Sequence, residues 1–194
     1  MNYSAIKRFI LRKLEKDLAP DLYYHGFHHT LDVLMVAESL CKEENINEYE
    51  TTLVKTAAIF HDAGYLRANI NHEVLGCNIV QEYLPFFGYS EEAIEKICGM
   101  IMSTKIPQSP KTKLDRIICD ADLDYLGRDD FDKIGDTLFE ELKAYKYLET
   151  REEWDLMQII FLEKHTFFTE SSRNKRKAKK AQHLKQLKKR VQKI

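Results

Sequence analysis

Apolar side chains recur at intervals of three and four residues along most of this chain, a spacing that places them on one face of an α-helix. In the first such segment the apolar positions are Ile6, Phe9, Ile10 and Leu14. Ser4 is its expected N-cap, because a serine side chain can accept a hydrogen bond from a free N–H of the first turn. Pro20 marks its end, since proline cannot continue the helical hydrogen-bond pattern.

The same periodicity, together with helix start and stop signals, predicts eight further helices. Their approximate bounds are residues 28 or 29 to 42, 48 to 61, 72 to 84, 90 to 103, 112 to 125, 130 to 147, 151 to 164 and 171 to 191. Gly64 is the expected C-cap of the helix that ends at His61. Little or no sheet is expected, so the sequence predicts an all-α fold, in the form of a single-domain helical bundle.

The composition agrees with this fold class. A chain of 194 residues can bury one sizeable core, and only 7 glycines and 4 prolines interrupt it. The four cysteines stand singly, without a C-x-x-C pair, so neither a zinc knuckle nor a disulfide framework is indicated. We expect a reducing, cytoplasmic setting, because neither a secretory signal nor a run of apolar residues long enough to span a membrane is found.

The formal net charge of −1 conceals an asymmetry between the two ends of the chain. Residues 173–194 hold 11 lysines or arginines and no acid, which leaves 19 basic and 31 acidic side chains in residues 1–172. The basic segment has a helical apolar edge formed by Leu184, Leu187, Val191 and Ile194. We therefore expect a main domain over 1–172 and a basic C-terminal helix that packs on it. Binding to a nucleic acid backbone or an anionic membrane is the less favoured alternative.

Candidate chemistry centres on His61 and Asp62, adjacent metal-competent side chains at the predicted end of a helix. Two further groups of similar residues lie upstream and downstream: His25, His28 and His29, then Asp120, Asp122 and Asp124. Imidazole and carboxylate groups together are typical ligands of a divalent ion. The sequence therefore suggests a metal site and hydrolytic chemistry.

Each candidate also has a purely structural interpretation. His29 falls on the apolar stripe of its helix, where an inward histidine is often a hydrogen-bonded core residue. On a helical wheel Asp122 lies on the flank of the apolar stripe, Asp124 on the opposite flank, and Asp120 is rotated farther out. We therefore rank Asp122 first, Asp124 second and Asp120 third as the ligand, because a carboxylate among apolar neighbours needs a partner.

His29, then His61 and Asp62, then Asp122, on successive predicted helices, resemble the H…HD…D pattern of the HD superfamily of metal-dependent phosphohydrolases. The local sequences support the likeness. They are YHGFHH at 24–29, similar to the superfamily's Y-H-x-x-x-H, IFHDAGY at 59–65, similar to its helix with the H-D pair, and DADLDYLG at 120–127, similar to its D-A-D-L segment. The resemblance implies a helical bundle of the HD-domain type and covers at least residues 24 to 127.

The resemblance further implies one divalent ion, Mn²⁺, Fe²⁺, Co²⁺, Ni²⁺ or Mg²⁺, held by His29, His61, Asp62 and Asp122. Such an ion can lower the pKa of a bound water and polarise a phosphoryl oxygen. Asp62 would be both ligand and catalytic residue, orienting or deprotonating the attacking water. The expected activity is hydrolysis of a phosphate ester of a nucleotide or another small phosphorylated compound.

Four other residues are candidates for contacting the substrate: His25, Arg67, His72 and Lys105. The region of a second set of histidines in binuclear relatives reads IMSTK at 101–105, which favours a single ion. The alternative function is a noncatalytic module that binds a nucleotide, or a nucleic acid through the basic segment. An intact set of four ligands favours the enzyme, because a binding module needs no such ion.

Overall fold

The computed structural model describes residues 1–192, and in this range the chain is helical and contains no strand. We number the α-helices α1 to α9 in chain order. Their bounds are Tyr3–Asp17 (α1), Phe27–Glu43 (α2), Glu48–Phe60 (α3), His72–Tyr83 (α4), Glu91–Thr104 (α5), Lys113–Asp122 (α6), Phe131–Ala144 (α7), Arg151–Lys164 (α8) and Glu170–Val191 (α9). Three short 3₁₀ segments connect them, at Ala63–Leu66, Leu84–Phe87 and Asp124–Gly127. The predicted all-α fold is confirmed.

Most helix starts have a side-chain cap. The residues that accept a hydrogen bond from the first turn include Asn47, Ser90, Thr112, Thr150 and Thr169. The prediction for α1 was wrong, because Asn2 is its cap and Ser4 lies inside the first turn. Asn2 Oδ1 accepts from the backbone N–H of Ala5, which starts the helix two residues earlier than the apolar spacing required.

Helix α3 is the centre of the main core. All side chains from Thr56 to Phe60 are completely buried, and the helix contacts α1, α2, α5 and α6. A helix that is buried on every side ends with its last residues deep in the protein. The His61–Asp62 pair, which follows α3 directly, is therefore placed in the interior although it lies at a helix end.

Several predicted helix ends differ from the structure, among them the end of α7, which lies at Ala144 instead of 147. Gly64 is not a C-cap, since it lies in the 3₁₀ segment after α3 and makes a close backbone approach to His72. The helix predicted over 112–125 ends at Asp122, after which the chain tightens into the 3₁₀ segment Asp124–Gly127. The apolar stripe continues through Tyr125 and Leu126, so periodicity alone could not reveal this change of helix type.

A second apolar cluster joins the last 3₁₀ segment to α7, α8 and α9. Its buried members include Leu126, Phe131, Leu162, Phe167 and Leu187. On α9, His183 stacks on Phe131 at 4.5 Å between ring centroids, and its Nε2–H donates to the backbone oxygen of Arg128 at 2.8 Å. Helix α9 thus packs on the body through its apolar edge. The predicted member of that edge at Ile194 lies outside the described residues.

The cations of α9 face carboxylates of the body. Five of them form ion pairs: Lys175 with Glu43, Arg176 with Asp124, Lys179 with Asp129, Lys188 with Glu163, and Arg190 with Asp132 and Asp155. The charge asymmetry of the sequence thus corresponds to complementary charges on α9 and on the body that it contacts. Cations engaged in this way are less available to phosphate groups. None of the described helices combines the length and apolarity that crossing a bilayer requires.

Candidate metal centre

Helices α2 and α3 bring two imidazoles together. His29 lies in the first turn of α2, and His61 follows the last residue of α3. Their Nε2 atoms are 3.2 Å apart. His61 Nδ1 lies 2.9 Å from the backbone oxygen of Ala58, an atom that only accepts, so Nδ1 carries the proton. In the neutral ring Nε2 is then unprotonated, which is the form that binds a metal ion.

Asp62 joins this pair because α3 ends immediately before it. In a continuous helix Asp62 would be rotated by about 100° from His61, but here the backbone leaves the α conformation at Asp62. Its Oδ2 lies 3.1 Å from His61 Nε2 and 3.5 Å from His29 Nε2. Oδ2 is buried and has no hydrogen-bond partner. A buried carboxylate oxygen without a partner is costly unless a cation compensates it.

Asp122, the last residue of α6, supplies the fourth group. Its Oδ1 lies 3.1 Å from His29 Nε2 and 3.5 Å from His61 Nε2. The atoms of His29, His61 and Asp122 that could bind a metal ion all lie within 4.8 Å of one another. Two ligands at about 2.1 Å from one ion stand roughly 3.0 to 3.4 Å apart, depending on the angle between them. The observed separations and the unpartnered Asp62 Oδ2 therefore agree with a divalent-ion site.

Burial lowers the pKa of His61, but the Asp62 and Asp122 carboxylates raise it well above its usual value, so a bound ion would take the place of the proton on Nε2. Burial alone would raise the pKa of Asp62, but the facing His61 imidazole lowers it well below its usual value. Burial also opposes ionisation of Asp122, yet contacts with His29 and His61 lower its pKa to about 2. Both carboxylates are therefore ionised near neutral pH, and an ionised carboxylate is the form that binds a cation.

The two aspartates that flank Asp122 serve the fold instead. Asp120 accepts hydrogen bonds from the backbone N–H groups of Phe168 and Thr169 at 2.8 and 2.7 Å. The helical wheel rotated Asp120 away from the apolar stripe, but its side chain is completely buried. The two N–H groups compensate its burial. Asp124 pairs with Arg176 at 2.7 Å. Both side chains fasten α9 to the segment that carries Asp122.

These roles predict different outcomes for the three aspartates. Asp122→Asn should weaken metal binding by more than about 100-fold, because even residues that only orient a ligand contribute 10- to 100-fold. Asp120→Asn and Asp124→Asn should keep the metal and lose about 1 to 3 kcal/mol of unfolding free energy, because each leaves buried partners less well paired. Metal content per chain and denaturant unfolding measure the two effects. Loss of metal in Asp124→Asn with full retention in Asp122→Asn would contradict the assignment.

A stack of three rings borders the cluster. The His25 ring lies on Tyr65 at 4.6 Å between centroids, and Tyr65 lies on His72 at 4.3 Å. His72 Nε2 is 3.6 Å from Asp62 Oδ1. Of the candidate substrate-binding residues, the structure thus places His25 and His72 beside the proposed ligands.

The other two candidates differ from each other. A cavity beside the cluster is lined by His25, His72 and Lys105, which follows α5. The Nζ atom of Lys105 is 3.5 Å from Asn71 Oδ1. Arg67 does not reach this cavity, because its guanidinium forms an ion pair with Glu82 of α4 on the protein surface. The sequence suggested Arg67 only as a cation that could donate to phosphate oxygens, and the position of Glu82 could not be predicted from that.

Glu141 of α7 is a site residue that the sequence did not reveal. Its Oε2 accepts from the backbone N–H groups of Tyr24 and His25 at 2.8 and 2.9 Å, and its Oε1 pairs with His25 Nδ1. Burial alone lowers the pKa of His25, but the Glu141 carboxylate raises it above its usual value. Glu141 thus fixes the backbone and the ring of the residue that enters the site. Its separation of more than a hundred residues from His25 concealed this role.

Comparisons with known proteins agree with this picture. A family model described as HD domain matches residues 26–124, which is about half of the chain. A solved structure described as a predicted HD superfamily hydrolase, from an uncultured Thermotogales bacterium, is similar to this chain with 18% sequence identity and a TM-score of 0.64. The likeness covers 98% of this chain and 92% of that one. No curated protein matches the sequence.

Proposed function

The chain belongs to the HD-domain family, a family of metal-dependent hydrolases, and on this premise we propose that it hydrolyses a phosphate ester. The substrate is a nucleotide or another small phosphorylated compound. The observation that supports this proposal is the convergence of His29, His61 and Asp122, together with the Asp62 Oδ2 atom, which is buried beside both imidazoles and accepts no hydrogen bond. A noncatalytic binding module would have no use for such a set.

In this proposal His29, His61, Asp62 and Asp122 hold one divalent ion. When bound, the ion supplies positive charge for the phosphoryl oxygens and a lowered pKa for an adjacent water. Asp62 orients the attacking water and accepts its proton. Its Oδ1 is available for this step, because Oδ2 is the atom that faces the two imidazoles.

His25 and His72 lie on the substrate side of the cluster, where both line the cavity that also contains Asp62 and Asp122. We assign both rings to phosphate oxygens, to which a ring N–H can donate. Glu141 holds His25 in place through Nδ1, so that Nε2 is left to face the substrate. Lys105 adds a positive charge at the entrance. The chain's own residues thus provide ligands, a proton acceptor and phosphate contacts.

The experiment that tests this function uses protein freed of metal with a chelator and reloaded with Mn²⁺, Fe²⁺, Co²⁺, Ni²⁺ or Mg²⁺ in turn. Phosphate release is measured against nucleotides and simple phosphate monoesters and diesters. We expect hydrolysis with at least one ion and none in the chelated protein. Stoichiometric metal binding without turnover of any compound would favour the noncatalytic alternative.

A separate prediction concerns the support of His25. Glu141→Gln should lower kcat/KM by about 10- to 100-fold while the metal content stays unchanged, because it disturbs a residue that contacts the substrate and none that binds the ion. Glu140→Gln is the matched control, since this neighbour on α7 is exposed and should behave like the unmodified protein. Kinetics and metal analysis on the same samples measure both effects. Unchanged kcat/KM in Glu141→Gln would remove His25 from the reaction.

A further inference from the structure

A cavity of about 530 Å³ begins at the metal cluster and continues between α7 and α8. Asp62, Asp122, His25 and His72 line one part of it. Its volume lies within the range of small-molecule binding sites, about 300 to 1,000 Å³. Because the proposed reaction centre and this space are continuous, a substrate held by its phosphate group at the cluster would extend its remaining part into the cavity.

The part of the cavity that α7 and α8 line is mainly apolar, with Gln158 as a polar side chain, while Asn69, Asn71 and Thr104 line the cavity elsewhere. Its walls include Leu126, Phe131, Leu138, Leu142, Trp154 and Leu162. Two apolar side chains at its border, Ile106 and Met157, are 52% and 43% exposed. A site that binds sugars or further phosphate groups would present several hydrogen-bonding or cationic side chains instead.

Charge also restricts what can enter. Within residues 1–192, Lys105 is the only lysine or arginine among the residues that line the cavity, whereas Asp62, Glu73 and Asp122 contribute carboxylates. One divalent ion would balance two of these negative charges. A substrate with two or three phosphate groups would then bring further negative charge to a surface with one exposed cation.

The apolar wall contains one polar atom without a partner. Trp154 is only 4% exposed. Its indole N–H is buried and makes no hydrogen bond. A buried donor without an acceptor is unfavourable, so an occupant that supplies one would be favoured. Trp154 is also the single tryptophan of the chain, which makes its fluorescence a specific signal for occupation of this space.

We propose that the substrate is a phosphate monoester of a mainly apolar alcohol, with its single phosphate group at the metal cluster and its apolar part between α7 and α8. This inference deepens the proposed function and rests on it for the orientation of the substrate. The apolar part carries a hydrogen-bond acceptor for the Trp154 indole N–H. Nucleoside di- and triphosphates are excluded as preferred substrates by the shortage of cations.

The first test measures binding without turnover. Metal-loaded protein is titrated with n-alkyl phosphonates from methyl to octyl, which cannot be hydrolysed, while Trp154 fluorescence is recorded. We expect the affinity to rise by up to about fourfold for each added methylene until the cavity is filled. The same series as alkyl phosphates should show a parallel rise in kcat/KM, and ATP should be a poor competitor.

A matched pair of variants locates the effect. Met157 and Leu156 are neighbours on α8 and are both 43% exposed, but only Met157 lines the cavity. Met157→Gln should reduce the gain in affinity per methylene, whereas Leu156→Gln should leave it unchanged. Both substitutions are on the protein surface, so both variants should fold. The titration of the unmodified protein with alkyl phosphonates of increasing length tests the inference without either variant.

The outcomes separate this inference from the proposed function. Affinity that does not depend on chain length, together with hydrolysis of short or polar phosphate esters, would overturn the apolar substrate and leave the phosphohydrolase intact. A rise of affinity with chain length without hydrolysis of any alkyl phosphate would support the apolar site and overturn the proposed reaction. Tighter binding of ATP than of octyl phosphonate would also overturn the inference.

Discussion

Replacing Asp62 with asparagine should reduce kcat/KM for phosphate ester hydrolysis by more than about 1000-fold. The substitution removes a proton acceptor, worth about 10²- to 10⁴-fold, and at the same time one negative charge of the proposed metal site. The side chain is buried and its Oδ2 accepts no hydrogen bond, and the substitution would leave Asp122 as the one carboxylate of the proposed ligand set. Steady-state kinetics at increasing metal concentrations measure the loss and show whether added metal restores any activity.

A suitable control for the change in charge is Asp129→Asn. Asp129 lies on the surface, where its carboxylate pairs with Lys179 of α9, and exposed pairs of this kind contribute little to stability. Its kcat/KM should stay within about twofold of the unmodified value. Full activity in Asp62→Asn would show that the proposed cluster is not the reaction centre.

Gly64→Ala is expected to have the largest effect on the fold near the site. A Cβ at this position would stand 1.9 Å from the backbone oxygen of His72 and 2.6 Å from its carbonyl carbon. Backbone atoms cannot rotate away, so α4 would have to withdraw from the 3₁₀ segment after α3. We expect a loss of about 3 kcal/mol or more in unfolding free energy, at the upper end of the cost of overpacking. Since His72 begins α4, the same shift would move its ring away from Asp62 and lower activity.

The chain offers a matched control in Gly99→Ala. Gly99 lies inside α5, and nothing stands within 4 Å of the position of an added Cβ. Alanine favours a helix over glycine by about 0.4 to 1 kcal/mol where there is room for it, so this variant should be more stable than the unmodified protein. Denaturant unfolding of both variants measures the difference. Equal stability of the two would contradict the close approach at Gly64.

Most of the fold could be predicted from local information. The spacing of apolar residues located all nine α-helices of the described chain, because each helix buries one face in a common core. The errors lie at helix ends, where the outcome depends on tertiary contacts. Gly64 was read as a cap because glycine is common there, whereas its role is to let two backbones meet, which the sequence around it does not show.

The candidate site was predictable to the extent that it lies on short motifs. His29, His61, Asp62 and Asp122 were predicted from residue type, order and resemblance, and the structure places the four side chains close together. Their role as metal ligands stays a prediction. Glu141 and the apolar cavity were missed, because both depend on α7 and α8, which reach the site only through the folded chain. Candidate ligands can be predicted from a pattern, but the groups around them depend on tertiary structure.

The attachment of α9 has a consequence for the synthesis of the protein. Asp120 and Asp124, which flank Asp122, bind the N-terminal part of α9 and the turn before it. While the chain is still emerging from the ribosome, Asp120 lacks the N–H groups of Phe168 and Thr169, and Asp124 lacks Arg176 and retains Arg128 at 3.7 Å. The end of α6, which carries Asp122, therefore acquires its final setting late in translation, after α9 has docked.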